Sequence, residues 1–83
     1  MSPPATIRVG AVDIGSTPLR SLVADVPSEG SDPIRTVARA GEPCRLGRGL
    51  ERTGVIEAAL ADRAASLASD FLKRARSLGA RRF

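Results

Sequence analysis

The chain has 83 residues, 42% of them hydrophobic and 2% aromatic, so it can form one small domain with a thin aliphatic core. It has no histidine and a single cysteine, Cys44, which excludes an internal disulfide, a zinc site built on His and Cys, and a nucleophile activated by His. No apolar run reaches the roughly 20 residues of a membrane span, and residues 1–6 do not resemble a signal peptide. We therefore expect a soluble, cytoplasmic protein with no membrane partner.

The formal net charge is +4, and the positive side chains concentrate in residues 35–52 and 73–82. This excess favours anionic partners. Acidic residues interrupt the first stretch, however, and no aromatic side chains alternate with the arginines to stack on single-stranded nucleic acid. Arginine-rich, solvated surfaces explain the charge more simply, and nucleic-acid binding is not expected.

The first half of the chain is predicted to be a disordered leader and three strands. Residues 1–5 contain two prolines and no pattern, whereas residues 6–14 alternate with a period of two, as a strand with one buried face does. A second strand is predicted at 19–26 and a third at 34–40, joined by a loop of turn-forming residues at 27–33. In the first strand, three apolar residues share one face: Ile7, Val9 and Ala11. Strands joined by such short turns pair antiparallel.

The second half is predicted to be a loop, one amphipathic helix and the beginning of a fourth strand. Residues 41–54 hold four glycines and no periodicity, which indicates a loop. A helix is predicted over 55–78, with Thr53 as its cap and Gly79 as its stop. Its apolar residues recur every three or four positions: Ile56, Leu60, Ala64, Leu67, Phe71, Ala75 and Leu78. Residues 80–83 resemble the opening of a strand, so we expect a fragment of a larger α/β protein.

One segment suggests chemistry, the predicted turn between the first two strands. Gly15 leaves room for an anion to approach the backbone, and successive N–H groups in such a turn can form an anion nest. Ser16 and Thr17 add hydroxyl donors, and Arg20 offers a guanidinium suited to a phosphoryl group. Asp13 fits such a site if a divalent cation bridges it to the phosphate. The same composition also suits an ordinary hairpin turn that binds nothing.

A second block supports the phosphate-binding interpretation. The run Arg45-Leu46-Gly47-Arg48-Gly49-Leu50 follows the third strand, and together with Asp13-Ile14-Gly15-Ser16 it resembles the two N-terminal motifs of the exopolyphosphatase/guanosine pentaphosphate phosphohydrolase (Ppx/GppA) family. The likeness extends over residues 6–83.

The resemblance implies the start of the first lobe of an actin-like, ribonuclease H-like fold. It also implies an enzyme that hydrolyses polyphosphate or guanosine pentaphosphate with Mg²⁺ or another divalent cation, and full-length family proteins are expected to be homodimers. Asp13 would act on the metal and phosphoryl side as the catalytic residue of this segment. The phosphate would be bound by Gly15, Ser16 and Thr17, with Arg20 and Arg45 as further contacts.

The chain departs from the family pattern at Thr17-Pro18, where Asn-Ser is usual, and Pro18 has no N–H to donate. The family's acidic residue that activates water would lie beyond Phe83, so no turnover is expected from this chain alone. Two alternatives stay open: a fragment of another actin-like ATP-using enzyme such as a sugar kinase, and a small anion-binding module without enzymatic activity. Cys44 is interpreted as a small, partly buried filler.

Overall fold

The computed structural model describes residues 6–28 and 33–83. The predicted leader at 1–5 lies outside the described residues, as do positions 29–32 of the loop between the second and third strands. Five elements follow one another along the chain: β1 (Thr6–Ile14), β2 (Pro18–Pro27), β3 (Arg35–Pro43), α1 (Leu50–Thr53) and α2 (Ala58–Ser77).

The three strands form an antiparallel sheet in the order β1-β2-β3, with β1 where it was predicted. The end of the chain adds to the free edge of β1. Arg82 forms a parallel bridge with Val9, the N–H of Gly10 donates to the carbonyl of Arg82 at 2.8 Å, and the N–H of Arg81 donates to the carbonyl of Arg8 at 2.9 Å. The predicted fold class is confirmed: antiparallel strands, then a helix, then the first residues of a fourth strand beside β1.

Helix α2 packs against one face of the sheet, but not the face that the apolar alternation in β1 suggested. Ile7 is 42% exposed and Ala11 is also exposed, whereas Gly10 is buried. A Cβ atom added at Gly10 would lie 3.0 Å from the Cβ of Ala75 and 3.1 Å from the ring of Phe83. The helix therefore approaches β1 at the position that has no side chain.

The core consists of two small hydrophobic clusters between the sheet and α2. The first contains Leu19, Cys44, Ala64 and Phe71, and the second contains Val23, Ala75 and Ala80. Cys44 is only 4% exposed, so it is a buried filler rather than a partly buried one. Because the buried residues are mostly small, the helix lies close to the strands, and one aromatic ring, that of Phe71, supplies much of the buried volume.

Arg8 joins the sheet to the end of α2. Its Nε and Nη2 atoms donate to the two carboxylate oxygens of Asp25 at 2.7 and 2.9 Å, and its Nη1 atom donates to the carbonyl of Leu78 at 2.7 Å. Leu78 caps the C-terminus of α2, where free carbonyl groups attract a cation. Gly79 follows with φ of 98°, which confirms it as the residue that ends the helix.

The middle of the chain differs from its prediction. β3 begins at Arg35 rather than at position 34, and it continues to Pro43, so three of the residues predicted as loop pair with β2. The short helix α1 was not predicted. Glycines in the left-handed region bound it on both sides, Gly49 with φ of 79° and Gly54 with φ of 70°, and four residues are too few to show a helical period.

The predicted helix over 55–78 begins later than expected, because α2 starts at Ala58 with Glu57 as its N-cap. The predicted cap, Thr53, is wrong. Its hydroxyl lies 3.0 Å from the carbonyl oxygen of Gly49 and accepts a hydrogen bond from the N–H of Val55 at 3.3 Å, so it serves the end of α1 instead. Ile56, assigned to the apolar stripe, lies before the helix and is 42% exposed. Among the residues that the structure describes, no helix is long and apolar enough to cross a membrane.

Candidate phosphate-binding site

The turn between β1 and β2 is tight, and Gly15 is required by its geometry. Ile14 pairs with Leu19, so the chain reverses over Gly15 to Pro18. A Cβ atom added at Gly15 would lie 2.9 Å from the carbonyl oxygen of Pro18, closer than side chains are found to approach backbone oxygens. Any larger residue at this position must therefore shift the turn.

The loop after β3 is hydrogen-bonded to this turn. The N–H groups of Cys44 and Arg45 both donate to the carbonyl of Thr17, at 2.8 and 3.2 Å, and the N–H of Gly47 donates to the carbonyl of Ser16 at 3.4 Å. The two sequence blocks that resembled the phosphatase family are thus in direct contact. The contact uses only the carbonyl side of the turn.

The amide side of the turn has no partner within 6–28 and 33–83. No hydrogen bond from the N–H groups of Gly15, Ser16 or Thr17 occurs in these ranges, although both neighbouring strands are fully paired. Ser16 and Thr17 are exposed, and Gly15 is half-buried. Consecutive exposed donors without acceptors can hold the oxygens of an anion. The arrangement that would have excluded an anion, amides used up in sheet pairing, is not found.

Asp13 and Arg20 lie directly opposite each other on β1 and β2. Both are exposed, yet they do not form an ion pair; the ion pair in the described part of the chain is the one between Arg8 and Asp25. The stem of Arg20 extends toward β3, where a Cβ atom added at Gly41 would lie 4.0 Å from its Cγ atom. The Asp13 carboxylate therefore remains available to an incoming ligand.

Asp13 and Arg20 border an open groove of about 640 Å³ on the face of the sheet opposite α2. Ala11 and Leu22 line an apolar part of the groove, and Gly41 of β3 lines it without a side chain. The groove reaches the end of β1 at which the turn begins.

The described residues contain no group of three or more His, Cys, Asp or Glu side chains that could bind a metal by themselves. Mg²⁺ commonly binds through one or two carboxylates together with waters and substrate phosphates. The single carboxylate of Asp13 beside a turn with free donors fits an ion of that kind, held jointly with a phosphate ligand.

Arg45 contributes its backbone to the docking of the loop. Its φ of 51° places it in the left-handed region, which is uncommon for residues other than glycine, and the N–H of Arg48 donates to its carbonyl at 2.9 Å. Its side chain is exposed and makes no hydrogen bond to another described residue. A contact of Arg45 with phosphate stays a prediction.

Sequence reasoning gave no role to two residues, one that borders the groove and one that approaches the loop after β3. Arg39 borders the groove, and one side-chain oxygen of Glu57 lies 3.2 Å from the position of a Cβ atom at Gly49. The alternation in β3 could have identified Arg39, because it shares a strand face with Gly41. Nothing in the local sequence signals the approach of Glu57 to Gly49, which depends on how α1 turns.

The architecture places the chain in a class of folds. Three antiparallel strands followed by helices, with Arg82 bridged parallel to β1, match the first part of the N-terminal lobe of the actin-like fold, as found in Ppx/GppA proteins.

Three similar solved structures come from Aquifex aeolicus. The chain superposes on the Aquifex member of the Ppx/GppA protein family with a TM-score of 0.82 and 19% identity, covering 94% of this chain and 24% of that one. For the type II variant of the Aquifex Ppx/GppA phosphatase the TM-score is 0.78 at 21% identity, covering 92% of this chain and 24% of that one. For the Aquifex PPX-GPPA enzyme it is 0.79 at 19% identity, covering 94% and 25%.

These likenesses confirm the fold that the sequence resemblance implied. The chain spans about a quarter of the length of each of these proteins. No protein-family model matches the chain, and no curated protein matches it.

Proposed function

We propose that the chain is the N-terminal phosphate-binding part of a phosphoanhydride hydrolase that acts on inorganic polyphosphate or guanosine pentaphosphate in the cytoplasm. One observation carries the proposal: the N–H groups of Gly15, Ser16 and Thr17 make no hydrogen bond within the described residues, while the carbonyls of the same turn anchor the loop that follows β3. The turn is thus fixed from one side and offers its donors on the other.

In this proposal the amides of the turn bind the oxygens of one phosphoryl group, and the hydroxyls of Ser16 and Thr17 add contacts. Arg20 balances the charge of the phosphate from the neighbouring strand. Asp13 holds a divalent cation, which would neutralise charge on the phosphate and polarise it toward attack. Pro18 donates no N–H, so the turn binds phosphate with one backbone donor fewer than an ordinary residue at this position would allow.

Two features favour a hydrolase over a sugar kinase. The Arg-Leu-Gly-x-Gly-Leu block lies against the turn, through the bonds of Arg45 and Gly47 to Thr17 and Ser16. The solved structures described above are Ppx/GppA proteins.

We expect no turnover from these 83 residues. Among the described residues, Asp13 is the one acidic residue bordering the groove, and if it holds the cation, no second carboxylate of the described groove lining activates the attacking water. Magnesium and polyphosphate incubated with the purified chain should release no phosphate above the blank.

Calorimetric titration tests the proposal. Tripolyphosphate should bind to the chain, and Mg²⁺ should raise its affinity. Asp13→Asn should abolish the effect of Mg²⁺, because an amide is a weaker magnesium ligand than a carboxylate. Asp70→Asn, which removes an exposed carboxylate from α2, is the matched control and should behave like the unmodified chain. If Mg²⁺ strengthens binding equally in both variants, Asp13 does not hold the cation, and if the unmodified chain binds no tripolyphosphate, the proposal fails.

A further inference from the structure

An arginine to which the sequence resemblance gives no role lies beside the proposed phosphate site. Arg39 of β3 borders the same groove as Asp13 and Arg20, on the sheet face opposite α2. Its side chain is exposed and has neither a hydrogen bond nor an ion pair within the parts of the chain that the structure describes. Arg39 therefore does not stabilise the described fold through an ion pair, as Arg8 does.

The register of the sheet brings Arg39 close to Arg20. Arg20 is paired with Gly41, and Arg39 is paired with Leu22, so the two arginines are diagonal neighbours on adjacent strands. Diagonal neighbours on one sheet face have Cβ atoms about 7–8 Å apart or somewhat less, which long side chains can bridge. Gly41, which lies opposite Arg20, has no side chain on the sheet face that the two arginines share.

The charge of the groove is not balanced. The charged residues that border it within 6–28 and 33–83 are Arg20, Arg39 and Asp13, two positive charges against one negative, and no ion pair in these ranges neutralises either arginine. Like charges close together on a sheet are destabilising unless an anion lies between them. If Asp13 also holds a divalent cation, the local excess of positive charge increases further.

We propose that Arg39 forms a second phosphoryl subsite beside Arg20, one step along the sheet from the turn. A phosphate chain with its terminal group on the amides of the turn would pass Arg20, and its next groups would reach Arg39. Arg39 thus distinguishes ligands with several linked phosphoryl groups from orthophosphate. The inference rests on the proposed function, because it takes the amides of the turn as the first subsite.

The test compares two ligands and three variants by calorimetric titration. Arg39→Gln should weaken tripolyphosphate binding about tenfold, the equivalent of one charge-assisted hydrogen bond, and leave orthophosphate binding unchanged. Arg39→Lys should recover part of the loss because it retains the charge but not the planar fork. Lys73→Gln removes one positive charge from the exposed face of α2 and should leave both affinities unchanged. Because the Arg39 side chain makes no hydrogen bond to another described residue, its variants should fold. NMR spectra of the backbone amides check that they do.

Three results of these titrations would contradict the second subsite. If Arg39→Gln binds tripolyphosphate as tightly as the unmodified chain, or loses no more than Lys73→Gln, the second subsite is refuted while the proposed function stands. If Arg39→Gln weakens both ligands equally, Arg39 acts on the first subsite and the inference is again wrong. If the unmodified chain binds neither ligand, the proposed function fails, and the second subsite fails with it.

Discussion

Replacing Gly15 with alanine changes the geometry of the turn more than its chemistry. The added Cβ atom would lie 2.9 Å from the carbonyl oxygen of Pro18, and both atoms are fixed to the backbone, so neither can rotate away. Gly47→Ala is the matched control. It makes the same change in the loop that docks on the turn, but there the new atom would lie 3.7 Å from the Cβ of Ser16, an ordinary contact.

Overpacking of this kind costs about 1–3 kcal/mol. A chain of 83 residues is expected to be stable by about 4–12 kcal/mol, so Gly15→Ala should remain largely folded with a displaced turn. Each kcal/mol lowers the melting temperature of a domain of this size by about 4–8 °C. Because the amides of Ser16 and Thr17 move with the turn, tripolyphosphate affinity should fall at least about tenfold.

Urea denaturation gives the stability, and calorimetric titration gives the affinity. Gly15→Ala should unfold at a lower urea concentration than Gly47→Ala and bind tripolyphosphate more weakly. Equal midpoints and equal affinities for the two variants would show that the Cβ atom at Gly15 does not displace the turn. A loss of stability with unchanged affinity would separate the two effects and show that the turn is not where the ligand binds.

Two predictions concern the framework that holds the site. Phe71→Ala, at a ring only 8% exposed, should lower the free energy of unfolding by about 3–5 kcal/mol. Phe83→Ala, at a ring 55% exposed, should lower it by about 1 kcal/mol. Equal losses for the two variants in urea denaturation would contradict this. The hydrogen bonds from Arg8 hold the pKa of Asp25 below its usual value. The pair therefore stabilises the fold at pH values above the usual pKa, and this contribution is lost as the pH falls through the lowered pKa. Melting temperatures of Asp25→Asn should consequently vary less with pH across the acidic range than those of the control Asp70→Asn, and parallel pH profiles would be the contrary result.

The strands were predictable where apolar residues alternate with others and where turn-forming residues mark a sharp turn. β1 was placed correctly because a disordered-looking leader and the Gly-Ser-Thr-Pro turn bound it, and Gly79 was identified as the helix stop from its type and position. The face of β1 that packs against α2 was not predictable. Apolar count favoured one face, but the absence of a side chain at Gly10 let the helix approach the other.

The residues of the candidate site were proposed from the sequence, but their assembly could not be. Asp13, Gly15 and Arg20 were selected by their types and spacing, and their roles stay predictions. That the carbonyls of Ser16 and Thr17 anchor the loop after β3 depends on contacts between residues almost 30 positions apart, which no local pattern encodes. The left-handed conformation of Arg45 follows from that docking, since its own residue type disfavours it.

Oxyanion binding by the amides of Gly15, Ser16 and Thr17 can be followed through their chemical shifts in a phosphate titration. We expect these N–H signals to move downfield together and saturate, while the N–H signals of Cys44 and Gly47, which are already bonded to the turn, move much less. Saturable shifts elsewhere in the chain with these three amides unmoved would contradict it.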